Sequence, residues 1–251
     1  IPLTGFLGNT INQNQTICEF DVTDTLIGTN PKGGTPPFAY QWQISRKDSA
    51  WQNAPNNDTL KDYYPGILTD TTFFRRVVTD DSLQSDTSNV VTIFVHPLIQ
   101  NNTIAIANDK SRCFGNRADS ITGTNPGGGD GTFSYTWQYS TAPATWTDDT
   151  VTNGTNYITP PLSDTTQIRR YVMSGACHSF SDTITINVLA SISNNQITDN
   201  QTLCYGDIAA NLNGMLPSGG EPGVYAYQWQ MQPDSSPWEL MQDAASQHLL
   251  L

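Results

Sequence analysis

Tyr40-Gln41-Trp42-Gln43, Tyr135-Thr136-Trp137-Gln138 and Tyr227-Gln228-Trp229-Gln230 are three copies of one short segment. Around the first copy, Phe38, Tyr40, Trp42 and Ile44 alternate with Ala39, Gln41 and Gln43. Phe133, Tyr135, Trp137 and Tyr139 repeat the alternation around the second. A period of two places every second side chain on one face, the pattern of a half-buried strand. Trp42, Trp137 and Trp229 are therefore expected to pin the core, where a large ring buries the most area. A second tryptophan follows nine residues later in each copy, at Trp51, Trp146 and Trp238. These are expected to be partly exposed.

The likeness extends in both directions from this strand. Upstream, Gly28-Thr29-Asn30-Pro31 and Gly33-Gly34 recur as Gly123-Thr124-Asn125-Pro126 and Gly127-Gly128, a turn whose glycines supply positive φ. Asn14-Gln15-Thr16-Ile17-Cys18 recurs as Asn200-Gln201-Thr202-Leu203-Cys204, and a weaker copy ends at Cys113. Downstream, Asp70-Thr71-Thr72 and Arg75-Arg76 recur as Asp164-Thr165-Thr166 and Arg169-Arg170. Residues 74–78 and 168–172 read as a later strand, and 90–95 and 184–188 as the last one. From cysteine to cysteine the period is 95 and then 91 residues, one Ig-sized sandwich and too long for a solenoid or propeller blade. The expected fold is all-β, with Ig-like β-sandwich repeats arranged end to end over residues 1–96, 97–190 and 191–251. Leu249 falls where Tyr157 lies in the second repeat, so the third copy lacks its last strands and the natural chain is expected to continue. Short joints, His96-Pro97-Leu98 and Leu189-Ala190-Ser191, predict a rod.

Composition points the same way. Asp outnumbers Glu 20 to 3, and Asp prefers turns where Glu prefers helices. A net charge of −12, with four Lys and seven Arg, argues against nucleic acid and against anionic membrane surfaces. No apolar run approaches the ~20 residues that span a bilayer, so direct membrane insertion is not expected.

Catalytic and metal-binding readings find little support. His96, His178 and His248 do not occupy equivalent positions and stand beside no repeated nucleophile. Asp80-Asp81 and Asp148-Asp149 sit in turn-like sequence and read as solvated loops. There is no spaced Asp/Asn/Gly loop for Ca²⁺ and no cysteine pair at zinc spacing, so no metal, cofactor or catalytic site is expected. The arginine pairs read as structural. Neighbours on a strand face opposite ways, so one arginine of each pair lies toward the interior, with Asp70 or Asp164 as its candidate partner and Trp51 or Trp146 as a stacking ring. Cys113 and Cys177 both fall in the second repeat, and a disulfide between them is expected. Leu83 stands opposite Cys177 in the first repeat, leaving Cys18 free, and Cys204 would pair past residue 251. A bridge of this kind belongs to an oxidising compartment.

The order Cys, Gly-Thr-x-Pro-x-Gly-Gly, Tyr-x-Trp-Gln, Trp, Thr-Thr-x-x-Arg-Arg, Cys and a Val/Ile/Thr-rich last strand resembles a known repeat. It is similar to the Ig-like repeats of very large surface proteins of Bacteroidota, gliding-motility adhesins and type IX-secreted proteins among them. The resemblance covers nearly the whole chain. It implies export across the outer membrane, an extracellular place on the cell surface and a non-catalytic role. It also gives a reading to an excess, because 11 of the 20 Asp are followed directly by Ser or Thr. Asp-Ser/Thr before a small or aliphatic residue is similar to the O-glycosylation signal of that phylum. The sites so implied are Ser49, Thr59 and Thr150 in loops, then Thr25, Ser82, Ser120 and Thr183. Thr71 and Thr165 are weaker, since Asp70 and Asp164 are candidates for the arginine pairing. Turn and strand-entry chemistry explains the same excess without sugar. The expected function is a surface-displayed adhesin or stalk that holds a surface polysaccharide or protein ligand. The alternatives are a self-associating subunit of an extracellular filament or sheath, and spacer domains of a secreted polysaccharide-degrading enzyme.

Overall fold

The computed structural model describes residues 6–250 except 48, 57, 109, 144 and 199, so Asp48, the acidic neighbour of Ser49, lies outside the description. Among the described residues all regular structure is strand. The first unit holds β1 (Gln15–Cys18), β2 (Ala39–Arg46), β3 (Gln52–Asn53), β4 (Thr72–Thr79), β5 (Ser85–Thr87) and β6 (Val91–His96). They form one sheet in the order β1-β6-β4-β2-β3, with β5 also paired to β4. β1 runs parallel to β6, and β2 and β4 pair antiparallel along their whole length, from Ala39 opposite Thr79 to Arg46 opposite Thr72. The facing layer is looser. It is stitched by single bridges, Leu7 to Lys32, Ile11 to Gly28, Leu26 to Tyr63 and Val22 to Ile67.

The second unit repeats this plan with β7 (Ile104–Ile106), β8 (Ser111–Cys113), β9 (Ile121–Gly123), β10 (Ser134–Ser140), β11 (Thr147–Asp148), β12 (Thr166–Ser174), β13 (Cys177–Phe180) and β14 (Ile184–Leu189). Its main sheet is ordered β11-β10-β12-β14-β8 with β13 on β12, and its facing layer is β7 paired with β9. The third unit has β15 (Ile197–Thr198), β16 (Leu212–Gly214), β17 (Gln230–Met231), β18 (Glu239–Leu240) and β19 (His248–Leu249). They form a β15-β16-β19 sheet and a β17-β18 pair, and among the described residues nothing corresponds to β4 or β6.

Strict alternation builds the cores. Along β4, Thr72, Phe74, Arg76 and Val78 point inward and are buried, while Phe73, Arg75, Val77 and Thr79 face out. Ile11, Leu26, Trp42, Tyr63, Phe74 and Ile93 close the first core, and Ile104, Ile121, Trp137, Tyr157, Ile168 and Ile186 close the second. Tyr63 stacks on Trp42 and Tyr157 on Trp137, with ring centroids 5.6 and 5.1 Å apart. Each such ring pair contributes about 1 kcal/mol beyond the area it buries.

The expected cysteine pairing is corrected. Cys18 is bonded to Cys177, with Cα atoms 5.0 Å apart, and Cys113 is exposed and unpaired. Sheet geometry gives the reason. Cys177 opens β13 at the hairpin end of β12, whereas Cys113 lies opposite Leu189, the last residue of β14. The two therefore sit at opposite ends of one sheet, roughly 40 Å apart at about 3.3 Å per residue. A disulfide requires Cα atoms within about 7 Å. Cys18 lies opposite His96, the last residue of β6, at the end where the chain passes into the second unit. The pairing also moves the position that matches Cys177: Asp80 N donates to Gln84 O across the first hairpin, so Gln84, not Leu83, stands opposite.

Candidate functional site

Each complete unit buries one arginine without a carboxylate on it. Arg76 is fully buried, and its donors go to Asn9 Oδ1 (Nε 3.2 Å, Nη2 2.8 Å), Thr29 O (Nη2 2.7 Å) and Lys61 O (Nη1 2.8 Å). Arg170 reproduces the seat with Asn102 Oδ1 (3.0 Å), Thr124 O (2.9 Å) and Thr155 O (3.1 Å). The guanidinium also faces the rings of Tyr40 and Trp42 in one unit, and of Tyr135 and Trp137 in the other. Burial pushes both guanidinium groups downward; Tyr40 and Asp62, and Tyr135 and Asp182, act the other way. An arginine keeps its proton under such conditions, so the charge is held by carbonyl dipoles and an amide. Glycine is required at the seat floor. A Cβ on Gly28 would overlap Arg76 Nη1, and one on Gly123 would overlap Arg170 Nη1.

The other arginine of each pair occupies an outer seat. Arg75 lies 4.2 Å over the Trp51 ring and donates to Gln43 Oε1 at 2.7 Å. Arg169 lies 4.0 Å over Trp146, with Phe180 at 4.1 Å on its other side, and donates to Gln138 Oε1 at 2.7 Å. Trp51 and Trp146 do stack on an arginine of each pair, but on the outer one rather than on the expected inward one, which faces Tyr40 and Trp42 or Tyr135 and Trp137 instead. The expected acidic partners are corrected: Asp70 and Asp164 serve turns, their carboxylates taking hydroxyl donors from Thr69 and Ser163 and their carbonyls from Thr72 and Thr166. The asparagines Asn9 and Asn102 were not anticipated. The recurring Asn-Thr steps 9–10 and 102–103 were the available signal.

The joint between the first two units is a second constructed feature. Gly129 N donates to Pro97 O at 2.8 Å, and a Cβ on Gly128 would overlap Leu98 O, so the glycine turn of the second unit seats the linker. Cys18, Ile99, Val172 and Cys177 form a small buried cluster with Phe133 and Tyr135 packed on it. Cys177 Sγ lies 3.4 Å from Pro97 O.

Trp42 and Trp137 are fully buried and Trp229 is 8% exposed. Their indole N–H groups donate to Leu60 O, Gly154 O and Ser246 O at 2.9, 3.0 and 2.9 Å. Among the residues implied as glycan sites, Thr25, Ser49, Thr59, Ser82, Ser120, Thr150, Thr165 and Thr183 are exposed, and Thr71 is half-buried. The hydroxyls of Thr71 and Thr165 accept the strand N–H groups of Val95 and Val188. Several of the preceding aspartates hold structure. Asp58 accepts from Gln41, Asp119 from Asn108, Asp149 from Tyr157, and Asp182 from Ile104 N.

Among solved structures, titin domains A168-A170 share 13% identity at a TM-score of 0.44, over 73% of this chain and 67% of that one. The fibronectin(III)-like modules of Clostridium thermocellum CbhA share 12% at 0.37, over 71% and 92%. The FN1-FN3 domains of chicken CNTN1 share 14% at 0.29, over 93% and 88%. No curated protein matches the sequence. One family matches twice, over residues 7–97 and 102–190, each copy spanning one complete arginine-seated sandwich, and the chain belongs to that family, described as Domain of unknown function (DUF8696).

Proposed function

We propose that the chain is a tension-carrying stalk segment displayed outside the cell, holding a surface-binding part of a longer protein away from its base. The observation that carries this reading is the Cys18–Cys177 bond, which ties neighbouring units to each other across a separation of 159 residues. A bond of this kind is kept in an oxidising compartment, which supports an extracellular site. The resemblance of the repeat to surface adhesin repeats of Bacteroidota supports the same reading. Under an end-to-end pull, force enters at the first strands, crosses from Cys18 to Cys177, and leaves through β14. Nearly all of both cores lies in the shunted segment. At about 3.5 Å per extended residue, roughly 550 Å of chain is kept out of the extension. Single-molecule pulling on the chain held at both ends tests this. The expected traces lack that length without reductant and gain it once a thiol reductant is added. Equal extensions under both conditions would overturn the stalk reading.

A further inference from the structure

A cavity of about 150 Å³ opens in the second unit, at the end of the sandwich where β10 stops and β12 begins. It lies wholly inside a complete repeat. Its buried lining includes Tyr157, Leu162 and Ile168, and its more exposed lining includes Tyr139, Pro160 and Pro161. Thr141 and Asp164, both exposed, stand at the mouth. Asp164 is the charged residue of the wall; Arg117 donates to Thr159 O nearby but does not line the cavity.

The first unit carries larger side chains on the same frame. Phe74 stands at the position of Ile168, with its ring 5.9 Å from that of Tyr63. Arg46 stands at the position of Thr141, opposite Thr72 and two residues on from Ile44 along the inward face of β2. Gly66 and Ile67 stand where the second unit has Pro160 and Pro161. Two side chains are therefore cut back in the second unit, and the wall beside them is stiffened by two rings of fixed φ. A repeat that needed only to fold could keep the larger residues its neighbour uses.

The groups left around this space are those that hold guanidinium elsewhere in the chain. Arg75 lies over Trp51, Arg169 over Trp146 and Arg76 against Tyr40, while Arg112 pairs with Asp119 at 2.9 Å. A net charge of −12 draws basic partners toward the surface. Sites for drug-sized molecules run from about 300 Å³ upward, so the occupant that fits is one side chain.

We propose that this cavity is a binding site for a single arginine side chain of a basic partner protein. Its methylene stem fills the room that Phe74 and Arg46 take up in the first unit, between Ile168 and the two prolines. Its guanidinium lies against the Tyr139 ring and donates to the Asp164 carboxylate, whose Oδ2 already accepts from Ser163 Oγ at 2.7 Å. Arginine is preferred to lysine because a planar, weakly hydrated cation stacks on a ring where a compact ammonium stays in water.

The test is a titration of the isotope-labelled whole chain, followed by NMR, with N-acetyl-arginine amide, its uncharged isostere N-acetyl-citrulline amide and N-acetyl-phenylalanine amide. The arginine probe should give saturable shifts at the backbone amides of Thr141, Ser163 and Asp164. The citrulline probe should bind about threefold more weakly, the scale of an exposed ion pair. Asp164→Asn should bring the arginine probe down to the citrulline level. Thr141→Arg, an exposed change that restores the first unit's residue, should abolish the shifts, and Ile168→Phe should do so from inside the core. Absence of saturable shifts, equal binding of arginine and citrulline, or undiminished binding to Thr141→Arg would overturn the proposal. Tighter binding of the phenylalanine probe would overturn it in favour of an apolar partner.

Discussion

Arg76 holds a full positive charge away from water against one amide oxygen and two carbonyl oxygens, while Arg75, one residue earlier, lies across an indole at the surface. The two substitutions should therefore differ sharply. Arg76→Leu leaves the buried Asn9 Oδ1 and the carbonyls of Thr29 and Lys61 without these donors, and a loss of about 3 kcal/mol is expected. Arg75→Ala removes a surface cation–π contact and one hydrogen bond, and about 1 kcal/mol or less is expected. Denaturant unfolding of the two variants checks the order, and equal losses would mean that the inner seat contributes no more than the outer. Gly28→Ala should resemble Arg76→Leu, because its methyl takes the place of the guanidinium.

At the scale of single elements, the hairpins depend on carboxylates. Asp80 accepts from Thr35 N at 2.9 Å and from Gln84 N at 2.8 Å, tying the β4–β5 turn to the glycine turn beside it. The Thr35 N–H, and after it those of Gln84 and Ser82, hold its carboxyl below the ordinary 3.8. Asp130 is held low in the second unit, first by Thr132 N–H and then by the Ser174 hydroxyl. A depressed folded-state pKa stabilises the fold above the ordinary value and is lost as pH falls through the folded one. Stability should therefore be flat from neutrality to about pH 4 and drop below it, and Asp80→Asn should flatten that drop. Thermal unfolding at a series of pH values measures it. A second element effect is the break between β5 and β6, where Asn89 Oδ1 accepts from Ile11 N; Asp182 Oδ1 does the same for Ile104 N at the break between β13 and β14. A side chain replaces the ladder there, which lets one strand serve both layers.

For the whole molecule, Ser49, Thr59 and Thr150 are exposed residues, as sugar addition requires, and the proposed surface location gives that exposure a use. We expect intact-mass spectrometry of protein from its native cell to show hexose-sized additions, with Thr71 and Thr165 bare because their hydroxyls accept strand N–H groups. A mass equal to the polypeptide would leave the Asp-Ser/Thr excess to structural roles, such as the turn that Asp149 caps through Val151 N and Thr152 N and the longer-range bonds of Asp58 and Asp182. Small-angle scattering should show an extended particle, and reduction should broaden its distance distribution as the first joint loosens.

Much of this was legible in the chain itself. Alternation around Trp42 and Trp137, the paired arginines and the glycine turns are local patterns, and local sterics convert them directly into strands, an inward arginine and positive-φ turns. The sequence by itself thus determined an all-β repeat and its core tryptophans, while which arginine of each pair lies over Trp51 or Trp146 was decided by the fold. Only the tertiary structure decided which groups hold the buried charge and which cysteines meet. Asn9 lies 67 residues from Arg76, and Cys18 lies 159 from Cys177. Such partners are set by strand order and by which end of a sheet each residue reaches. Shared membership of a repeat says nothing about that, so Cys113 and Cys177 belong to one repeat and stand a sheet's length apart in space.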